Sequence, residues 1–160
     1  MYGDLLLLHS WWRWAVLASL LTAVISSVNG LKGRRKFSAT DLFICYSTAA
    51  VCHVQFLLGI LLYYFSPLTS SFLKNPASAI HEREFRFFGL EHATVMLLAI
   101  IVVSIGAYKT KKRSTDRDKF KTLLVWFLAG LLLVLSSIPW SFWPWVNRPS
   151  FRAFWDPVHF

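Results

Sequence analysis

Four long apolar runs decide what this chain can become. They cover about residues 5–31, 42–65, 85–108 and 123–143. At about 1.5 Å of rise per residue, about 20 residues of helix cross a hydrocarbon core of about 30 Å, and each run is that long. A backbone in lipid must satisfy its own hydrogen bonds, so the runs are expected to be helices. Short connections between them predict an all-α, integral membrane, up-down four-helix bundle, one domain over residues 1–160. Composition agrees. The chain is 56% apolar and only 16% charged, and its mean hydropathy of +0.49 is far from that of a soluble domain. The first run has no basic stretch before it and no small-residue cleavage site, so it reads as a retained span rather than a signal peptide.

The net charge of +9 could suggest nucleic acid, but its distribution argues against that partner. Lys32, Arg34, Arg35 and Lys36 crowd the first loop, and seven basic residues from Lys109 to Lys121 crowd the third. Basic loops between apolar spans are topology signals. They put these two loops in the cytoplasm and both termini on the periplasmic side of a bacterial inner membrane.

The tail, residues 144–160, is rich in aromatics and proline. Pro139, Pro144 and Pro149 oppose a continuing helix. Trp140, Trp143, Trp145 and Trp155 suit the headgroup layer, so the tail reads as an interfacial anchor. His81 and His159 fall in such polar or interfacial segments and are poor ligand candidates. Cys45 and Cys52 lie two turns apart on one span, about 10 Å, beyond disulfide reach. A weak repeat pairs "TDLF" after the first basic loop with "DKF" after the third, aligning Asp41 with Asp118.

Ionisable groups inside a span are costly and mark a partner or a functional cavity. His9 and Arg13 interrupt the first run, and Glu91 and His92 the third. His53 and Gln55 lie in the second. Depth separates them. His9 sits about 6 Å inside its span and His92 about 10 Å, whereas His53 sits about 18 Å inside. Spans one and three are parallel, so His9 and His92 are level. Two axial imidazoles on facing helices, about 4 Å apart across an iron, are what a six-coordinate haem requires.

Phe88 and Met96, one turn either side of His92, would pack on a flat macrocycle. Small residues continue both faces inward: Ala99, Val103 and Gly106 beyond His92, and Val16, Leu20, Ala23 and Ser27 beyond His9. Arg13, one turn from His9, would meet a haem propionate or else Glu91 as an ion pair. With haem bound, Glu91 would accept from a ligand histidine or an indole. Other readings stay open. The polar groups would equally serve structural packing, or His9, Glu91 and His92 would form a non-haem metal or proton site. On span two, Cys45, Thr48, Cys52, Gln55 and Gly59 form a stripe suited to helix contact. It is expected to meet Ala15, Ser19, Thr22, Ser26 and Gly30 on span one. His53 stands about 100° from that stripe, with a quinone-sized pocket as one role.

The segments "HSWWRW", "RFFGLEH" and "SIPW", with a histidine in the second span, resemble small four-helix bacterial membrane proteins described as cytochrome b-like. The resemblance covers nearly the whole chain. It implies haem b and electron transport between quinone and a redox partner or larger membrane complex. Diheme bacterial cytochromes b are only distantly similar, since they need four intramembrane histidines and this chain offers three. The rival to an electron carrier is a cofactor-free structural or assembly subunit of a larger complex.

Overall fold

The computed structural model describes residues 1–144, 146 and 148–151. The tail expectations for Trp145, Trp155 and His159 fall outside these residues. The described residues are helical and contain no strand. Four helices are long and apolar enough to cross a membrane: α1 (Tyr2–Lys32), α2 (Ala39–Phe65), the helix Arg83–Lys112, and α7 (Asp116–Ser137). Between α2 and the third span lie two short helices, α3 (Pro67–Lys74) and α4 (Pro76–Ala79). The third span is α5 (Arg83–Arg86), a π-helical turn at Phe87–Glu91, and α6 (His92–Lys112).

Local chemistry sets these boundaries. Ser38 caps α2 in a reciprocal box with Asp41, and Thr115 caps α7 by accepting from the Asp118 amide. The aligned aspartates of the weak repeat thus occupy equivalent places at two helix starts. Pro67 and Pro76 stand in the first turns of α3 and α4, where the missing amide costs nothing. The fourth span ends at Ser137 rather than at 143. Pro139 drives the preceding residue, Ile138, into extended backbone (φ −76°, ψ 129°).

The long helices form a ring. α1 packs against α2 and α7, and α6 packs against the same two. α1 and α6 therefore stand diagonally, across the bundle axis. The core runs along that axis through Leu20, Ala23, Cys45, Val103, Leu123 and Phe127. The outer surface is apolar too, with Leu57, Ile101, Val125 and Leu132 exposed. Helices apolar on all sides belong to a membrane protein, since lipid replaces water as the solvent.

The buried face of α1 is Val16, Leu20, Ala23, Ser27 and Gly30, the face that continues from His9. The small-residue stripes meet only in part. Thr48 donates to Ser19 O at 3.2 Å and Ser26 donates to Asp41 at 2.8 Å, but Ala15 and Thr22 face outward. Cys45 and Cys52 are free thiols buried in the core.

At the end bearing the basic loops, Arg35 clamps Asp41 with two bonds of 2.6 Å, while Ser38 donates to the same carboxylate. That clamp holds the Arg35 guanidinium above its ordinary range, through the hydrogen bonds first and their opposite charge second. Arg35 also lies 4.7 Å over the buried Phe120 ring, which fills the space left by Gly30.

Candidate functional site

The opposite end of the bundle holds a cavity of ≈ 370 Å³. His9, Arg13, Gln55, Phe88, His92 and Met96 line it. Five of the residues singled out from sequence are thereby assembled from two diagonal helices, and Gln55 joins them from α2. The His9 and His92 rings face each other with centroids 6.4 Å apart and planes at 71°. The level inferred from span depth is thus realised as contact.

His92 is held from α7. Its Nδ1 lies 2.7 Å from the carbonyl oxygen of Ser137. A carbonyl accepts only, so Nδ1 carries the proton and Nε2 is the bare nitrogen. Ser137 O is available because α7 stops there: the last carbonyls of a helix have no intrahelical donor. Trp140 Nε1 takes a second one, Leu135 O, at 3.1 Å. The "SIPW" segment is therefore a helix ending that hands one carbonyl to a histidine and another to an indole. Sequence reasoning passed over Ser137, since its backbone atom makes the contact.

His9 is set against α2. Gln55 Nε2 donates to His9 O at 3.1 Å. A β-carbon built on Gly59 would lie 3.5 Å from His9 Cε1, so the absent side chain leaves room for the ring. Nδ1 of His9 and Oε1 of Gln55 are both buried without a hydrogen-bond partner among the described residues.

The π turn aims His92. The His92 amide reaches back to Phe87 O, five residues earlier. The wider turn stacks residues five apart as an α-turn stacks residues four apart. Tyr63 clamps it by donating to Gly89 O at 2.8 Å, and the Phe72 ring occupies the space where Gly89 has no side chain.

Two expectations are corrected here. Arg13 and Glu91 do not pair. Glu91 is exposed and accepts from Arg86 Nε at 2.7 Å, five residues back across the π turn. Arg13 donates to Ser150 O at 2.7 Å. For the same reason Glu91 does not join His9 and His92 as a metal triad, and no group of three metal ligands occurs among the described residues. Glu91 also stands outside the cavity lining, as does His53. His53 is on the exposed face of α2, with Nδ1 2.7 Å from Ala49 O and Nε2 3.3 Å from Ser104 Oγ.

The tail contributes what sequence reasoning assigned to an anchor alone. Pro139, Arg148 and Pro149 line the cavity. Arg148 pairs with Glu84 and lies 5.1 Å over the Phe88 ring, while Phe151 stacks on Trp14 at 5.0 Å. Through these contacts the described residues up to Phe151 lie against this end of the bundle.

No protein-family model matches this chain, nor does any curated protein or solved structure.

Proposed function

We propose that the protein is a b-type cytochrome of the bacterial inner membrane, with one haem held between His9 and His92 near the periplasmic face. The observation that carries this reading is the 6.4 Å separation of the two rings. Two imidazole nitrogens each about 2 Å from one iron leave their ring centroids about 6 Å apart. The donor set fits as well. His92 carries its proton on Nδ1 against a backbone carbonyl, the arrangement that leaves Nε2 basic and fixed for a metal. His9 lines the same cavity, with its Nδ1 buried and without a hydrogen-bond partner among the described residues.

The chain's other residues suit the same occupant. Phe88 and Met96 supply apolar walls. Arg13 and Arg148 bring two guanidinium groups to the cavity lining, where they would meet propionates. Haem b bound here would supply a reversible one-electron couple. The protein's part is to hold both imidazoles, exclude water and set the charge around them. We place this function in electron transport between quinol and a periplasmic or membrane partner. The basic loops support an orientation with both termini outside. The resemblance of "HSWWRW", "RFFGLEH" and "SIPW" to cytochrome b-like proteins is in keeping with this reading.

The test is a reduced-minus-oxidised spectrum of protein purified in detergent. Sharp low-spin bands are expected. A preparation that stays colourless after haem supplementation would overturn the assignment in favour of a cofactor-free structural subunit.

A further inference from the structure

The end of the bundle that bears the basic loops has a cavity of its own, of ≈ 220 Å³. We propose that it holds the phosphate of an anionic phospholipid, gripped by Lys111 and Lys119. The site is independent of the haem reading.

Three helix ends build the cavity. Phe37, Ser38 and Leu42 line it from the start of α2, Thr110 and Lys111 from the last turn of α6, and Lys119 from the first turn of α7. Helices that cross a membrane end where the headgroups lie, so the cavity stands at headgroup level. Both hydroxyls on its wall are spent. Ser38 donates to Asp41 at 2.7 Å and Thr110 to Gly106 O at 2.8 Å. The two ammonium groups are not. Neither pairs with a carboxylate among the described residues. Lys119 is half-buried and rests 5.6 Å from the Phe37 ring. Two aspartates of this end are engaged elsewhere, Asp41 by Arg35 at 2.6 Å and Asp118 by Thr115 at 2.7 Å.

The surrounding field points the same way. Four basic residues of the first loop and seven of the third stand against Asp41, Asp116 and Asp118. Basic pockets between spans take acidic lipid headgroups, and each lysine or arginine near the surface adds attraction. A topology signal asks only for charge in the loops. It does not ask for a cavity with two unpaired ammonium groups on its wall. The apolar side suits a lipid rather than a free anion. Phe37 and Leu42 form part of the wall. One turn further into the membrane, Tyr46 on α2 and Tyr108 on α6 are exposed, a path for an acyl chain leading away from the phosphate.

Thermal unfolding of the purified full chain in a neutral detergent tests this. Phosphatidylglycerol, phosphatidylcholine or inorganic phosphate is titrated in. A ligand that binds the folded state raises the midpoint, and the dose dependence gives its affinity. Phosphatidylglycerol should act at much lower concentration than the other two. Lys111→Gln with Lys119→Gln should weaken that affinity by at least about tenfold. Lys111→Arg with Lys119→Arg keeps both charges and should keep the affinity. Lys32→Gln with Lys121→Gln removes the same net charge from exposed positions outside the cavity, and should weaken it by less than about twofold, because solvent screens such charges. If Lys119→Gln does not fold, Lys111→Gln alone, at an exposed position, decides by comparison with Lys121→Gln.

Equal losses in the two glutamine pairs would overturn the site in favour of a diffuse basic surface. Protection by phosphatidylcholine at the same concentrations would overturn recognition of charge. Protection by inorganic phosphate at the same concentrations would overturn the lipid. None of these readouts involves haem, so a negative result leaves the cytochrome assignment standing.

Discussion

The imidazoles of His9 and His92 meet across the bundle axis, 6.4 Å apart, from two helices that pack on α2 and α7 rather than on each other. Neither histidine is needed to join adjacent helices at that point. His9→Ala and His92→Ala should therefore each leave a folded bundle but reduce retained haem below about a tenth of wild type. His92→Ala should also lower stability by about 1–2 kcal/mol, because the Ser137 carbonyl loses its donor and the ring leaves a void. Haem content per chain and unfolding in mixed detergent measure the two effects. Full haem retention in both variants would remove the ligand assignment.

Arg13 and Glu91 serve different partners, so charge reversal of both should not be mutually compensating. Glu91→Gln breaks a surface pair with Arg86, worth about 0–1 kcal/mol. Arg13→Leu removes the shorter of two bonds to Ser150 O, leaving Trp14 Nε1 at 3.3 Å, and should loosen the chain around Ser150. Limited proteolysis reads this directly, with faster cleavage near residue 150 in Arg13→Leu and no change in Glu91→Gln. Restored stability in the double variant Arg13→Glu with Glu91→Arg would reinstate a direct pair.

Asp41 is 1% exposed and collects five hydrogen bonds, one from Ser26, two from Arg35 and two from Ser38. Asp41→Asn keeps the volume but loses the charge and the fork-to-fork match with Arg35. Because the arginine is partly open to solvent, the expected cost is about 2–3 kcal/mol. Asn should be worse tolerated than Arg35→Lys. Denaturation midpoints of the two variants check the order.

Gly89 is the tightest point of the π turn. Any side chain there overlaps the buried Phe72 ring. Gly89→Ala should cost about 1–3 kcal/mol through overpacking. Its effect should be partly relieved by Phe72→Leu. Tyr63→Phe should cost about 1 kcal/mol, the worth of its bond to Gly89 O. If these changes also disturb the cavity, the visible spectrum of the loaded protein will shift with them, since the same turn aims His92.

The sequence revealed the spans, the level of His9 and His92, and the inward faces below them. Lipid makes these legible: it forbids open backbone and penalises stray charge, so helix length and polar position carry the information. It did not reveal the partners of Glu91 and Arg13. Glu91 follows a five-residue turn that no side-chain pattern announces, and that turn directs it to Arg86. Arg13 bonds a backbone carbonyl, and carbonyls are alike in every residue. Ser137 escaped notice for the same reason. Gln55 stood out as an intramembrane polar group but was given only a place in a packing stripe, because its spacing fits helix contact and its amide oxygen shows its lack of a partner only in three dimensions.

Pro139 gives the ending of α7 a meaning beyond the path of the chain. Along a helix every carbonyl but the last few is already spoken for, so a histidine reaching in from a neighbour finds nothing to hold. Stopping α7 at Ser137 turns one position into a vacancy at the height of the His92 ring. The proline acts as an address, written in one residue and read by another forty-odd positions away. Sliding it one turn along the helix would move the free carbonyl by about 5 Å and leave the histidine beside a bond already taken.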